Sequence, residues 1–222
     1  SKHKNKAQKK AVVKRDDSLL TDEAVRAHWP EILAAIQKEL ETWVSMNCIS
    51  RKPRQGARNI TDTRWVHKWK EELATSSVHG EVSTLRRWVI RARLTLRGFK
   101  DMQARDLESY AGTSLRYSQR VICSEAVCRG WNICTTDISK AFLQGVTYKE
   151  LAEATGEPLR EVNFYLPEYC VPKLRKCKGF ENFNPKTEVI HCDKPGTGCN
   201  DAPRCFSLKL EKVTREICKM EG

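Results

Sequence analysis

Residues 136–145 read Thr136-Asp137-Ile138-Ser139-Lys140-Ala141-Phe142-Leu143-Gln144-Gly145, directly after an apolar run through Trp131 and Ile133. An apolar run that closes on an acid predicts a strand, Trp131 to Ile138, with Asp137 near its end. A small residue, an aromatic ring and a glycine follow at fixed offsets: Ala141, Phe142 and Gly145. Such a strand end can present one carboxylate to a divalent metal, with a backbone turn and an aromatic wall beside it. Nucleotidyl transfer by two Mg2+ ions needs carboxylates of this kind, because they hold the ions about 3.5–4 Å apart on either side of the phosphoryl group.

Working outward, Trp65, His67 and Trp69 alternate with Val66, Lys68 and Lys70. After a polar stretch containing Gly80, Trp88, Ile90, Ala92, Leu94 and Leu96 alternate with Val89, Arg91, Arg93, Thr95 and Arg97. Two period-2 runs around a polar loop predict a β-hairpin, apolar on one face and cationic on the other. Upstream, Trp29, Leu33, Ile36, Leu40 and Trp43 recur at helical spacing, and Pro30 is tolerated in a first turn, so a packing helix runs to about Val44. A helix from Leu115 to Arg129 stops at Gly130. Thr147-x-x-Glu150 is a capping box before a short helix, Tyr148 to Ala154. Glu161–Leu166 and Glu188–Cys192 are strand candidates, and Asn200 or Asp201 caps a last helix with the stripe Phe206, Leu210, Val213 and Ile217. This mixture implies an α+β fold. It divides into a flexible basic linker (1–20), a hairpin-bearing part (21–110) and a second part (111–222).

Forty per cent of the 222 residues are apolar and six are Trp, as in a folded chain. No apolar run approaches the ~18 residues that cross a bilayer and no signal peptide opens the sequence, so no membrane partner is expected. The first residue is Ser1 rather than Met, which reads as a piece of a longer product. The net charge of +12 is uneven. Residues 1–15 carry seven Lys and Arg and no acid, the mark of a solvated tail that holds polyanions loosely. Residues 51–105 carry fourteen, within the strand-periodic region, which suggests a positive face for a phosphate backbone. Ten cysteines include no Cys-x-x-Cys pair. His191, Cys192, Cys199 and Cys205 could hold a metal, but the simpler reading is reduced, mostly buried thiols, with Cys123, Cys128 and Cys134 in apolar segments. That usage points to an intracellular protein, cytoplasmic or nuclear.

The stretch Asp137 to Gly145 resembles the first catalytic motif of copia-type retrotransposon reverse transcriptases, Asp-Val-x-x-Ala-Phe-Leu-x-Gly. Three more blocks resemble the same family in the same order. Arg64-Trp65-Val66-His67-Lys68-Trp69-Lys70 is similar to its Trp-Val-x-Lys-x-Lys. Ala92-Arg93-Leu94 with Arg97-Gly98-Phe99 is similar to Ala-Arg-Leu-Val-x-x-Gly-Phe. Gly198-Cys199-Asn200-Asp201-Ala202-Pro203-Arg204 is similar to Gly-Leu-Lys-Gln-Ala-Pro-Arg. The upstream helix, with Trp29, Glu39 and Trp43, fits the family's leader segment, so the resemblance spans roughly residues 22–215.

The resemblance implies the fingers and the first part of the palm of a right-hand polymerase, built from antiparallel hairpins and packing helices. By it the chain is a fragment of a Pol polyprotein, an RNA-directed DNA polymerase acting on dNTP and an RNA or DNA template-primer, with the rest of the polyprotein as partner. Asp137 is then the catalytic carboxylate and first Mg2+ ligand, and Ile138 offers its carbonyl to the metal. Arg93 is the first candidate for the triphosphate and Arg91 its nearest competitor, with Lys68 and Lys70 also in reach of phosphate. Arginine suits that task through its fixed fork of donors. Phe142 resembles a steric gate against the 2′-hydroxyl. Gly198 and Arg204 would lie against the template and nascent base pair, where glycine permits close backbone approach.

Three departures bear on function. Asn200-Asp201 replaces the family's Lys-Gln, and the interval from Gly145 to Gly198 is long enough for an extra loop or hairpin. The Tyr-Val-Asp-Asp motif, source of the second and third carboxylates, does not occur in the sequence; in the family it follows the helix that corresponds to 201–219. One carboxylate does not hold two Mg2+ ions, so this chain is expected not to polymerise alone. The alternative is a degenerate, non-catalytic nucleic-acid-binding remnant, and a cysteine-rich metal-binding domain is a third reading.

Overall fold

A computed structural model describes residues 18–78, 81–217 and 219. The lysine-rich residues 1–17, Gly80 and Cys218 lie outside the described residues. In chain order the elements are α1 (Asp22–Ala27), α2 (Trp29–Ser45), β1 (Ile49–Pro53), β2 (Ile60–Thr61), β3 (Thr63–Val78), β4 (Glu81–Leu96), α3 (Arg116–Arg129), α4 (Tyr148–Thr155), β5 (Asn163–Phe164), α5 (Val171–Leu174), β6 (Glu188–Cys192) and α6 (Ala202–Lys212). Strands β3 and β4 form the expected antiparallel hairpin, from Thr63↔Leu96 to Val78↔Glu81. A second sheet has the order β1-β6-β5-β2, antiparallel except for the β2–β5 pair. The fold is mixed, with small sheets and several helices, as an α+β chain should be.

Helix α2 organises the core. Pro30 occupies its first turn, and Ile32, Ile36, Leu40 and Trp43 form one fully buried stripe. The expected stripe is shifted by one residue at its start, since Trp29 and Leu33 are only partly buried. The stripe packs on Trp65, Ala92, Leu94 and Leu96 of the hairpin and continues to Phe164, Leu174 and Ile190. Trp43 meets Phe164 edge to face, with ring centroids 6.2 Å apart. Each such apolar side chain contributes roughly 1.5–3 kcal/mol on full burial. One cluster therefore joins residues on both sides of position 110, where the sequence suggested a division.

Several expectations need correction. The segment Trp131–Ile138 is not a strand: no strand pairs with it among the described residues, and Trp131, Ile133 and Ile138 are exposed. An apolar run makes a strand only where a neighbouring backbone takes up its N–H and C=O groups. Helix α3 does form and ends on Gly130 in the left-handed region, but Ala126 is its one buried residue and Leu115 and Ile122 face solvent. The strand expected over Glu161–Leu166 contracts to Asn163–Phe164. Asp201 precedes α6 without capping it through its side chain, and the helix passes into a π turn at Val213–Ile217. Leu210 and Ile217 are exposed, so that helix buries Ala202 and Cys205 instead of the expected stripe.

The long interval between Gly145 and Gly198 is a working part of the fold. It supplies α4, whose capping box is present, and both strands that link β1 to β2. Glu161 secures it. Its carboxylate accepts from Lys52 Nζ (2.6 Å), Asn163 Nδ2 (2.9 Å) and the Arg58 amide (3.2 Å). The Lys52 and Asn163 contacts lower its pKa to about 2. A depressed carboxyl pKa adds stability above the unfolded value near 4.5, and the contribution is lost as pH falls toward 2. Thermal melts of Glu161→Gln are therefore expected to show a shallower decline than the native chain over that window. Equal slopes would contradict this.

Six of the nine described cysteines are buried, and all nine are free thiols. Cys123, Cys128 and Cys134 are exposed, against expectation, because α3 and the segment after it pack on little. Burial raises the thiols of Cys48 and Cys170 to about 11 and those of Cys199 and Cys205 to about 12, so they stay protonated. The suggested metal set does not assemble. His191 Nδ1 lies 2.9 Å from Asn163 Oδ1, and no three metal-ligating side chains converge among the described residues.

Candidate functional site

A cleft of about 330 Å³ opens between the base of the hairpin, α2 and the turn at 137–143. Arg91 and Arg93 enter from β4, Glu39 from α2, and Asp137, Ile138, Lys140 and Phe142 from the turn, with Thr197 on the rim. Five of the residues singled out from the sequence thus share one wall-to-wall site: Arg91, Arg93, Asp137, Ile138 and Phe142.

The hairpin sets the arginines. Residues two apart on a strand share a face, so Arg91 and Arg93 stand together while Ala92 and Leu94 turn into the core. Arg93 lies across from Val66 and Arg91 directly across from Lys68. Two cations facing each other on neighbouring strands are unfavourable by themselves, and the buried opposite face holds them there. Glu39 fastens β4 to α2: its Oε1 accepts from Trp43 Nε1 (3.1 Å) and from the Leu94 amide (3.4 Å).

The turn is anchored at one end and open at the other. Leu143 is buried, its carbonyl accepts from Cys48 Sγ (3.5 Å), and the Val146 amide donates to Cys205 O (3.2 Å). Lys140 takes a left-handed backbone conformation, φ 55° and ψ 36°, and Ala141–Gln144 form a 3-10 turn behind it. Asp137 and Phe142 are exposed at the cleft. Asp137 is therefore delivered by an irregular segment held from its C-terminal side, not by a strand end.

A glycine-containing loop closes the rim. Thr197 O accepts from the Leu96 amide (2.9 Å). Gly198 has φ 95°, and a Cβ there would overlap the Leu96 carbonyl oxygen; a Cβ on Gly196 would overlap the Trp43 ring. Gly198 does permit close backbone approach, but the backbone it approaches is that of β4.

Arg204 is engaged elsewhere. It forms a two-pronged pair with Glu157 (2.9 and 3.1 Å) and reaches Glu108 at 3.3 Å, and these contacts raise its own pKa and lower that of Glu157. Lys70 lies 4.0 Å from Glu72 on the hairpin, and neither Lys68 nor Lys70 lines the cleft.

No family model, no curated protein and no solved structure matches this chain.

A buried cluster outside the cleft lining gave little sign of itself in the sequence. Arg160 is buried between Asp101 (2.6 Å) and Asp201 (2.8 Å), with its guanidinium 5.2 Å from the centre of the Tyr148 ring. The Asp201 contact is an ion pair without hydrogen-bond alignment. Asn59 Nδ2 also donates to Asp101 (2.9 Å). Burial raises the Asp201 carboxyl pKa, offset in part by Arg160, and burial raises the Tyr148 phenol strongly. Asp201 therefore serves as counter-ion to Arg160, which gives a physical reason for an acid where the resembling motif has glutamine. Glu39, Lys140 and Thr197 are among the cleft residues to which the sequence alone assigned no role.

Proposed function

We propose that this chain is the nucleotide-binding front of a copia-like RNA-directed DNA polymerase, comprising fingers and the first part of a palm. The observation that carries this reading is the cleft itself. Two arginines of the hairpin face Asp137, Ile138 and Phe142, which come from a distant turn, in a space large enough for a nucleotide polyphosphate. Arg93 and Arg91 would hold the phosphates, Phe142 would lie under the sugar, and Asp137 would mark the reacting end.

Two Mg2+ ions need more donors than the cleft gathers. Asp137 and Glu39 are its acids, and Glu39 Oε1 is already taken up by Trp43 and Leu94. The residues present do not make a two-ion site, so the activity proposed for this chain is binding of dNTP and template-primer. Titration with a fluorescent dNTP tests it. The native chain should bind saturably, and Arg93→Gln should weaken binding by roughly tenfold, the effect of removing one charged hydrogen-bond partner. Absence of saturable binding by the native chain would sink the reading.

A second reading, a nucleic-acid-binding remnant, is favoured by the cation row on one hairpin face, where Arg64, Lys68 and Lys70 stand beside Arg87, Arg91 and Arg93. Binding of duplex without binding of dNTP would select it. Affinity would then fall steeply with salt, each phosphate contact adding about 0.9 to the slope.

A further inference from the structure

We infer that Lys140 is a further phosphate-binding residue of the cleft, directed at the polyphosphate of a nucleoside triphosphate; this rests on the nucleotide-binding reading above. The first support is conformational. Lys140 holds a positive φ, a region that glycine enters freely and asparagine tolerates, but that crowds the Cβ of other residues. Of the four non-glycine residues found there among the described residues, two are Asn47 and Asn59, and of the lysines only Lys140 lines a cleft. Glycine would fit that backbone better, so the side chain is what the position retains.

The second support is the side chain's setting. Lys140 Nζ donates to Thr42 Oγ1 at 2.9 Å, and Thr42 Oγ1 donates in turn to Lys38 O at 2.9 Å. An ammonium has three N–H donors, so this one is anchored through a neutral hydroxyl with donors to spare. The third is electrostatic. Arg91, Arg93 and Lys140 approach from two different walls, and the cleft holds three cations against Asp137 and Glu39. A concave site with excess positive charge concentrates polyanions, and a tethered lysine acts on phosphate as a point charge from the wall opposite the arginine forks.

Calorimetric titration of the full chain with dTTP and with inorganic tripolyphosphate tests the assignment, using Lys140→Met, Lys140→Gly and Arg93→Gln. Lys140→Met should weaken both ligands by roughly tenfold while changing dTMP and duplex binding less than twofold. Lys140→Gly should lose as much, although its backbone is relieved, and both variants should melt within about 4 °C of the native chain. Full affinity in Lys140→Gly beside a loss in Lys140→Met would show that turn geometry, not charge, is at work, and would overturn the assignment. So would native affinity in Lys140→Met, or a loss on duplex as large as on dTTP. If the native chain binds dTTP and Arg93→Gln weakens it roughly tenfold while Lys140→Met does not, only the lysine assignment fails. If the native chain binds neither ligand, the nucleotide reading fails with it.

Discussion

An Arg160→Met variant is expected to lose about 3–5 kcal/mol of folding stability, a large share of what a domain of this size possesses. The side chain lies with Asp101 on one side and Asp201 on the other, all three almost fully buried. Removing the cation leaves two carboxylates in a poorly solvating interior, and that stranded charge is the main penalty, with lost packing over Tyr148 a smaller one. Urea unfolding followed by tryptophan fluorescence would measure it. The deficit should shrink as the pH is lowered, because protonation removes the stranded charges. A triple variant with Asp101→Asn and Asp201→Asn should recover part of the loss. A midpoint for Arg160→Met equal to that of the native chain would mean that the cluster is solvated or rearranged.

Gly198→Ala should cost about 3 kcal/mol or more, since it combines a disfavoured backbone conformation with overlap against a strand that has no room to move. The Cβ would meet the Leu96 carbonyl oxygen and the Thr95 methyl group, and Leu96 belongs to the buried core. Gly112→Ala is the control, because nothing lies near that position and its change should stay within about 0.5 kcal/mol. Hydrogen exchange adds a local readout. The Leu96 amide, bonded to Thr197 O in the native chain, should lose protection in Gly198→Ala more than amides of the β1–β6 ladder. Uniform protection would contradict the proposed wedge.

What could be read from the sequence follows how local each signal is. The hairpin and α2 were legible because period 2 and period 3.6 are written along consecutive residues; their buried faces came out in part as expected, with Trp88 of the hairpin's apolar face exposed instead. Gly130 and the Thr147–Glu150 box were legible for the same reason. The Trp131–Ile138 segment was misread because an apolar run says only that the residues can be buried, and the partner that makes a strand is a property of the rest of the chain. The cleft was half legible. Arg91, Arg93 and the turn residues lie within compact motifs, whereas Glu39 reaches the site through a helix packed on β4. The Arg160 cluster was not legible at all, because Asp101, Arg160 and Asp201 are spread over a hundred residues and meet only in three dimensions.

The order of the four-stranded sheet has a consequence for how the chain is born. Strand β1 finds its hydrogen-bonding neighbour only at β6, with Ile49 opposite Cys192, and β2 finds its own only at β5. During synthesis the β3–β4 hairpin can zip up as soon as it clears the ribosome, yet β1 and β2 must wait for some 100 to 140 further residues. At usual elongation rates that interval is on the order of ten seconds, during which their edges and the buried stripe of α2 are open to other chains. The longer that wait, the more the native yield depends on keeping those edges and that stripe from pairing with other chains.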